Sequence, residues 1–250
     1  GGTNRSRCCF GRTREFTSKQ ITIGIDNAQW NKLVYYKKLY ERVIKITFMN
    51  KQEFYRQKYA ELQPGWKDTQ TIYKDLLEEK ITSQTRVLDI GCGHSTFLAQ
   101  AYSQTEHTYG IDPDQEAVDK NQLIKNKFPA LGEKLPFADN FFDLVVTAWV
   151  LEHLDNPQAF FQEIYRVLKP GGEVIFLTPN AWNYVTWPIR LIPNRFHEFF
   201  TTKLYNREKG DTYPVRYRIN SPRTVRKILR KLGYVENQII MNGDPSYISF

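Results

Sequence analysis

Cysteine is scarce in this sequence, and its scarcity excludes two classes of protein. The three cysteines are an adjacent pair, Cys8 and Cys9, and the distant Cys92. This spacing builds neither a disulfide framework nor a metal site. Long apolar runs are lacking as well, because stretches such as Val174 to Leu177 fall far short of the roughly 20 residues that span a bilayer. No basic-then-apolar leader precedes the domain, so we expect a globular, cytoplasmic protein whose oligomeric state stays open.

The positive charge of the chain is concentrated at its two ends. Residues 1–60 carry 13 Lys and Arg against 4 Asp and Glu, residues 61–180 carry 10 against 18, and residues 181–250 carry 12 against 5. An acidic centre argues against a uniform nucleic-acid surface. Either basic end can still face an anionic substrate, a membrane or RNA, and simple solvated charge is an equal alternative.

Residues 1–48 are predicted to be a basic N-terminal extension, partly helical or disordered. Apolar residues recur at helical spacing from about 30 to 48, opposite a basic face. This helix could touch a membrane surface or could simply pack. The segment "MNKQEFYRQKY" then begins a polar helix, so we expect the main domain over residues 49–250.

From residue 85 onward, strand patterns alternate with helix patterns. Such alternation indicates parallel strands with right-handed crossovers, and hence an α/β, Rossmann-like, doubly wound and mostly parallel sheet with helices on both faces. The predicted strands are 86–90, 107–112, a weak 127–131 interrupted by Pro129, 143–148 and 173–178, and the predicted helices are 96–102, 114–126 and 157–168.

The fifth predicted strand is followed by an aromatic-rich insert, residues 179–220, which breaks the alternation. Ser221 then caps a helix that has Pro222 in its first turn, apolar residues on one side and Gly233 as its stop. Residues 235–241 are β-rich and predict one further strand.

The glycine turn "VLDIGCGHS" joins the first predicted strand to its helix. Gly91 and Gly93 fit the first two glycines of the dinucleotide-binding pattern, but Thr96 stands where the third would be. No lysine follows, which excludes a phosphate-gripping P-loop. A nicotinamide cofactor stays a formal alternative, and Asp89, two residues before the first glycine, is the remaining clue to another nucleotide.

Five ordered motifs resemble one family. "VLDIGCG", "GIDPD", "LPFADNFFDLVV", "LEHLDNP" and "VLKPGGEVIFLTPN" are together similar to the class I S-adenosylmethionine-dependent methyltransferases, specifically the small-molecule subfamily that includes the ubiquinone-pathway enzymes. The resemblance covers residues 70–180 well and 220–241 loosely. It implies S-adenosylmethionine as the cofactor, and it implies methyl transfer, to oxygen or carbon, as the activity.

The resemblance also implies roles for residues around the first two strands. Asp89 would accept hydrogen bonds from the amino end of the cofactor, while Gly91 and Gly93 allow the backbone to approach it. Asp112, at the end of the second strand, would hold both ribose hydroxyls, although a role as the cap of the next helix is the alternative.

Adenine and methionine contacts are implied farther along the chain. The family's adenine-reading acid and alanine correspond here to Leu131 and Gly132, so a backbone N–H of Gly132 remains while Glu133 either substitutes for the acid or is solvated. Thr147, at the end of the fourth strand, would border the methionine moiety or would be an ordinary strand threonine.

His153 is the candidate general base, because it follows the fourth strand where this fold opens toward substrate. A histidine that merely caps that turn is the alternative. His197 is the second candidate, with Tyr217 and Arg195 as orienting residues, whereas His94 and His107 are predicted to be structural or incidental. The insert would bind the methyl acceptor: its rings suggest an apolar or ring-bearing molecule, lipid-linked, quinone-like or sugar-derived. Four of its arginines suggest an anionic group: Arg190, Arg195, Arg216 and Arg218.

Two other functions compete with small-molecule methylation. An RNA methyltransferase would use the basic ends to track phosphates, but "TAWV" after the fourth strand lacks a base-flipping motif, so nucleic acid is an improbable partner. A non-catalytic S-adenosylmethionine-binding protein would keep the cofactor site without the reaction, and the altered adenine contact favours that alternative.

Overall fold

The computed structural model describes residues 51–94, 97–183 and 214–243. Several predictions lie outside the described residues: the N-terminal extension with its helix at 30–48, the turn residue Thr96, and most of the insert. The insert residues concerned include His197, Arg190 and Arg195.

Two helices precede the sheet, and strands then alternate with helices as predicted. The helices are α1 Lys51–Leu62, α2 Thr69–Lys80, α3 Ala99–Tyr102, α4 Gln115–Lys120, α5 Pro157–Val167 and α6 Pro222–Lys231. The strands are β1 Val87–Ile90, β2 Thr108–Asp112, β3 Asn126–Pro129, β4 Phe142–Ala148 and β5 Leu168–Leu177.

The described strands form one parallel sheet in the order β3-β2-β1-β4-β5. The chain runs outward from β1 through β2 to β3, and then returns to the other side of β1 with β4 and β5. A reversal of this kind opens a crevice at the carboxyl ends of the strands beside β1, where doubly wound folds bind their ligands. The predicted α/β, Rossmann-like fold is confirmed.

Strand β1 shows how the sequence covers both faces of the sheet. Side chains alternate along a strand, so Leu88 and Ile90 pack with α5 and α6, whereas Val87 packs with α2 and α3. Phe160 and Phe161 of α5 are completely buried, and each contributes roughly 1.5–3 kcal/mol by leaving water. The helices therefore lie on both faces, and the site must be at the edge of the sheet.

Helix α4 is shorter than predicted, since it ends at Lys120 and not at Asn126. The cause is Asn121, whose side-chain amide donates hydrogen bonds to the carbonyls of Cys92 and Gly93. Its Oδ1 accepts from the backbone N–H groups of residues 123 and 124, which turns the chain out of the helix. The sequence pattern continues a helix here, but the tertiary contact with the glycine turn prevails.

The predicted strand from Val235 to Met241 is wrong. This segment has no regular secondary structure, and Val235 is 87% exposed. Asn242 ties the following chain to α2 and the turn before it, through hydrogen bonds with the Trp66 indole and the Lys67 carbonyl. β-rich composition makes a strand only where a neighbouring strand offers pairing groups, and the segment is held elsewhere.

The helices within the described ranges are all too short or too polar to cross a lipid bilayer.

Helix α6 is capped as predicted, because the Ser221 hydroxyl accepts from the N–H of Thr224 and Gly233 follows with a φ of +90°. Val225 faces inward, and the basic residues of α6 face outward.

Candidate functional site

The glycine turn follows β1 and is held against β2. The N–H groups of Gly91 and Cys92 both donate to the carbonyl of Ile111, at 2.8 and 3.1 Å. Gly91 has a φ of +76°, and a Cβ there would lie 2.3 Å from Cγ2 of Val150. Gly93 has a φ of +46°, but a Cβ there would meet nothing within 4 Å. Gly91 is therefore required by packing, whereas Gly93 borders open space in which a ligand can approach the backbone.

We expect Gly93→Ala to lower the affinity for S-adenosylhomocysteine about tenfold, because the new methyl group fills that space. Gly171→Ala is the matched control, since Gly171 also has a positive φ, +81°, with nothing within 4 Å, and lies at the far end of the sheet. Both variants should lose roughly 1–2 kcal/mol of folding free energy to backbone strain. Calorimetric titration checks the difference; equal affinities in the two variants would show that no ligand approaches Gly93.

Asp112 is connected directly to the glycine turn. Its Oδ2 accepts from the N–H of Gly93 at 3.0 Å, and its Oδ1 accepts from the N–H of Asp114 at 2.9 Å. Each carboxylate oxygen keeps a second lone pair, so both can still take a hydroxyl group. The alternative role as helix cap is wrong, because Asp114 caps α4 by accepting from the N–H groups of Glu116 and Ala117.

Asn121 is a positioning residue that sequence reasoning missed. It is buried, and its amide bridges two carbonyls of the glycine turn at 3.2 and 2.8 Å. The Cys92 side chain is buried beneath the same turn, and burial raises the pKa of its thiol to about 12. A neutral thiol is no nucleophile, so Cys92 serves as a small packing residue in the turn.

Asp89 lies on β1 beneath the turn and is buried. Its Oδ2 accepts a 2.6 Å hydrogen bond from the hydroxyl of Tyr102. Burial raises the pKa of Asp89 to about 7; the Tyr102 hydrogen bond lowers it, and the neighbouring charge of Asp112 raises it further. Because the Asp89 carboxyl group is already buried, a ligand that binds beside it displaces little water from it. A cationic amino group beside it would favour the ionised form of the carboxyl group.

Two buried hydroxyl groups lie in the same region. The Oγ1 of Thr147 is buried without a hydrogen-bond partner among the described residues, and the buried hydroxyl of Tyr73 meets the backbone of Thr147 without good hydrogen-bond geometry. Burial, and after it the nearby charge of Asp89, raise the pKa of the Tyr73 hydroxyl. The ring of Tyr73 stacks on the ring of Phe97. Unsatisfied buried hydroxyl groups are costly in a native structure, so they indicate a polar ligand or water. A contact of Thr147 with the methionine end of the cofactor stays a prediction.

We expect cofactor affinity to depend on pH through Asp89. The raised pKa means that the empty folded protein keeps a proton that the unfolded chain loses near the ordinary value of 3.8. This contribution to stability is full at low pH and is lost as the pH rises through about 7. A bound ammonium group requires the ionised carboxylate, so affinity for S-adenosylhomocysteine should rise about tenfold between about pH 6 and about pH 8. Calorimetry checks this rise. Asp89→Asn should bind more weakly and without the pH dependence; an unchanged profile in that variant would contradict the assignment.

His153 lies in the turn after β4, and its ring orientation is defined by the backbone. Nδ1 lies 3.1 Å from the carbonyl oxygen of Pro214. A carbonyl can only accept, so Nδ1 carries a proton and Nε2 is the basic nitrogen of the neutral ring. The adjacent Glu152 carbonyl accepts from the N–H groups of Arg216 and Tyr217, which attaches the last part of the insert to this turn.

Trp149 stands at the end of β4 in a strained conformation that sequence reasoning missed. Its φ is +56°, which is unusual for a bulky residue, and its side chain is 40% exposed. The ring lies 5.5 Å from the ring of Phe97, just after the glycine turn. Strain of this kind persists where the surrounding structure imposes it, often at ligand sites, and here it places an aromatic wall at the carboxyl edge of the sheet.

Gly132 is explained by packing. A Cβ on Gly132 would lie 2.4 Å from Cε2 of Phe160, so this position needs glycine whatever ligand binds. Glu133 follows it and is half-buried. A contact of either residue with adenine stays a prediction.

Arg216 and Arg218 contact an anion of the same chain. The Nε of Arg216 lies 3.0 Å from Oδ1 of Asp155, and the Nη2 of Arg218 lies 3.5 Å from the same oxygen. The side chains are partly exposed, so each pair contributes at most about 1 kcal/mol. Their charge is partly neutralised, which weakens the expectation that these two arginines hold an anionic acceptor.

Part of the chain is similar in sequence to known methyltransferases. Residues 88–176 match a family model described as a methyltransferase domain. An uncharacterized methyltransferase of Schizosaccharomyces pombe is 36% identical over 126 residues, 44% of this chain and 45% of that protein. A ubiquinone biosynthesis O-methyltransferase of Pseudomonas fluorescens is 27% identical over 173 residues, 57% of this chain and 73% of that protein. A solved Thermotoga maritima structure, described as a SAM-dependent methyltransferase and possible histamine N-methyltransferase, has a TM-score of 0.47 at 20% identity, covering 66% of this chain and 71% of that one.

The sheet order and the glycine turn are those of a doubly wound α/β domain. Residues 88–176 resemble a methyltransferase domain, and the chain is similar to ubiquinone biosynthesis O-methyltransferases over 57% of its length. It spans under half the length of the fission-yeast relative.

Proposed function

We propose that this chain transfers a methyl group from S-adenosylmethionine to oxygen or carbon of a small-molecule acceptor at the carboxyl edge of the sheet. The observation that carries the proposal is the continuous set of contacts from β2 to the glycine turn, in which the Asp112 carboxylate holds the N–H of Gly93 beside open space. A diphosphate would meet a carboxylate at this position, whereas ribose hydroxyls would meet an acceptor.

Different residues would hold different parts of the cofactor. Asp112 would take the ribose hydroxyls, and Gly132 and Glu133 would border the adenine. Asp89 would face the amino group, with the buried hydroxyls of Thr147 and Tyr73 nearby. Bound there, the cofactor supplies an electrophilic methyl group on a positively charged sulfur that leaves as a neutral thioether. The protein mainly has to align the acceptor, because little covalent work remains.

His153 would act as the general base. Its Nε2 would take the proton from an acceptor O–H or acidic C–H as the new bond to the methyl group forms. The Pro214 carbonyl would stabilise the resulting imidazolium by accepting from Nδ1–H. His197 and Arg195 stay candidates of the second rank, and Tyr217 is attached to the same turn through its backbone. Contact of the basic N-terminal segment with a membrane also stays a proposal.

The test of the proposed function has two stages. Calorimetric titration should show binding of S-adenosylhomocysteine and none of NADH. Incubation with methyl-labelled S-adenosylmethionine and a small-metabolite and lipid extract should then yield a labelled small molecule. Preferential NADH binding would overturn the cofactor assignment. Cofactor binding without any labelled product would indicate a non-catalytic S-adenosylmethionine-binding protein. Label on RNA would indicate an RNA methyltransferase.

A further inference from the structure

A small cavity of about 130 Å³ lies between the segment after β5 and the start of α6. Thr178 follows β5 directly, and the N–H of Ala181 donates to the Asn220 carbonyl at 2.6 Å, so the cavity is at the carboxyl edge of the outermost strand. Asp89 and Asp112 belong to β1 and β2, on the other side of β4. The cavity is therefore at the β5 side of the carboxyl edge, away from Asp89 and Asp112. Its lining consists of Ala181, Trp182, Tyr217, Asn220, Ser221 and Thr224.

A buried chain of hydrogen bonds fixes which end of the Asn220 amide is available. Glu152 is 5% exposed, and its Oε2 accepts from the Thr178 hydroxyl at 3.1 Å. Because a carboxylate only accepts, the Thr178 hydroxyl must donate to it, and its oxygen then accepts from Nδ2 of Asn220. This leaves the Oδ1 of Asn220, which is buried and has no hydrogen-bond partner among the described residues.

The unsatisfied Oδ1 belongs to a residue that is 2% exposed and lines the cavity. An isolated buried acceptor is unfavourable, so the cavity suits a ligand group that donates a hydrogen bond. Two hydroxyl groups are close by, since Oγ of Ser221 and Oγ1 of Thr224 lie 2.9 Å apart. None of the described residues that line the cavity carries a carboxylate, ammonium or guanidinium group, and an anion would be repelled by a carbonyl-type oxygen.

Aromatic rings supply the apolar part of the lining. Trp182 is 67% exposed although it is large and apolar, and Tyr217 has a φ of +50°, which holds it in a conformation that tyrosine rarely adopts. The face of an aromatic ring carries negative charge density and attracts weakly positive C–H groups. Rings combined with an amide oxygen and two hydroxyl groups favour a saturated ring that bears several hydroxyl groups over a flat phenol.

We propose that this cavity, the Asn220 subsite, binds a neutral sugar ring of the methyl acceptor, which donates a hydroxyl hydrogen bond to Oδ1 of Asn220 and packs its C–H face on Trp182. The inference rests on the proposed function, because it assigns the cavity to the acceptor. It narrows the acceptor from lipid-linked, quinone-like or sugar-derived molecules to those with an uncharged sugar ring.

The test uses four probes on the full chain saturated with S-adenosylhomocysteine: methyl α-D-glucopyranoside, its fully O-methylated form, glucuronate and catechol. Saturation-transfer NMR should detect the glucoside with a dissociation constant of about 1–10 mM, typical for a fragment of this size. The O-methylated form, which has no donor, should bind at least about tenfold more weakly, and so should glucuronate. Equal binding of the O-methylated form, or preference for glucuronate or catechol, would overturn the proposal.

Two variants locate the binding. Asn220→Ala removes the acceptor, and Trp182→Ala removes the ring from a side chain so exposed that the fold does not depend on it. Each should weaken glucoside binding at least about fivefold without changing affinity for S-adenosylhomocysteine. Asn237→Ala, at an exposed asparagine, is the control and should change neither.

The outcomes distinguish a failure of the subsite proposal from a failure of the proposed function. Undiminished glucoside binding in Trp182→Ala, or failure of the glucoside to bind at all, would overturn the subsite while methyl transfer to another acceptor could stand. Loss of S-adenosylhomocysteine binding by the wild-type protein would instead refute the proposed function. If Asn220→Ala does not fold, Trp182→Ala and the O-methylated probe still decide the question.

Discussion

Replacing Asp112 with alanine should lower the affinity for S-adenosylhomocysteine at least about a hundredfold while leaving the fold intact. Two hydrogen bonds from ribose hydroxyls to a carboxylate are worth roughly 3 kcal/mol together, which corresponds to that factor. The variant also frees the N–H of Gly93, whose partner is Oδ2 of Asp112, so the glycine turn loses one of its attachments to β2. Calorimetric titration measures the affinity, and circular dichroism with thermal unfolding measures the fold.

Asp114→Ala is the matched control for this experiment. Asp114 lies two residues away and caps α4 through the N–H groups of Glu116 and Ala117. Its removal should cost about 1 kcal/mol of stability, comparable to the loss expected in Asp112→Ala, and should leave cofactor affinity within about a factor of two. Retained affinity in Asp112→Ala would refute the ribose assignment, and an equal loss in both variants would show that the effect is one of stability.

Replacing His153 with alanine should reduce turnover about 10²- to 10⁴-fold and leave the affinity for S-adenosylhomocysteine nearly unchanged. This is the range that a positioned general base contributes, and the loss should fall on kcat because the base acts as the bond to the methyl group forms. The measurement is turnover of the labelled product identified in the extract, with cofactor titration alongside.

His107→Ala tests whether any histidine substitution has the same result. His107 precedes β2, and its backbone carbonyl accepts from Val87, so its contact with the sheet does not depend on the ring. Turnover in His107→Ala should stay near the wild-type value. If His153→Ala also retains turnover, the ring only ties the turn after β4 to Pro214; the alternative of a structural histidine then holds.

Much of the fold could be predicted because its patterns are local. Strand β4 is a continuous apolar run, and "KPGG" stops a helix whose apolar residues recur with helical spacing, so their positions follow from residue preferences over a few neighbours. Helix α4 and the segment at 235–241 were predicted wrongly for the opposite reason. Asn121 and Asn242 redirect the chain through contacts with residues 28 and 176 positions away, and no local pattern contains such contacts.

The candidate site shows the same division. Asp89, Gly93 and Asp112 could be proposed in advance, because they stand in ordered motifs that resemble one family, and their contacts with a ligand stay predictions. Sequence reasoning could not identify Tyr102, Trp149 or the hydrogen-bonded side chains of Glu152, Thr178 and Asn220. Nothing in the sequence around these residues distinguishes them from ordinary core residues. Their roles arise from burial and from partners that only folding brings together.

The sequence alone determined the parallel architecture, the glycine turn and the places of Asp89 and Asp112 at the ends of two strands, because backbone geometry and side-chain periodicity are encoded over short stretches. The tertiary structure decided the protonation and the hydrogen-bond partners of individual side chains. Burial raises the pKa of Asp89 to about 7, the Pro214 carbonyl selects the tautomer of His153, and a relay through Thr178 leaves one oxygen of Asn220 unpaired. Desolvation and hydrogen-bond direction depend on every neighbour in space, and the order of residues along the chain does not specify them.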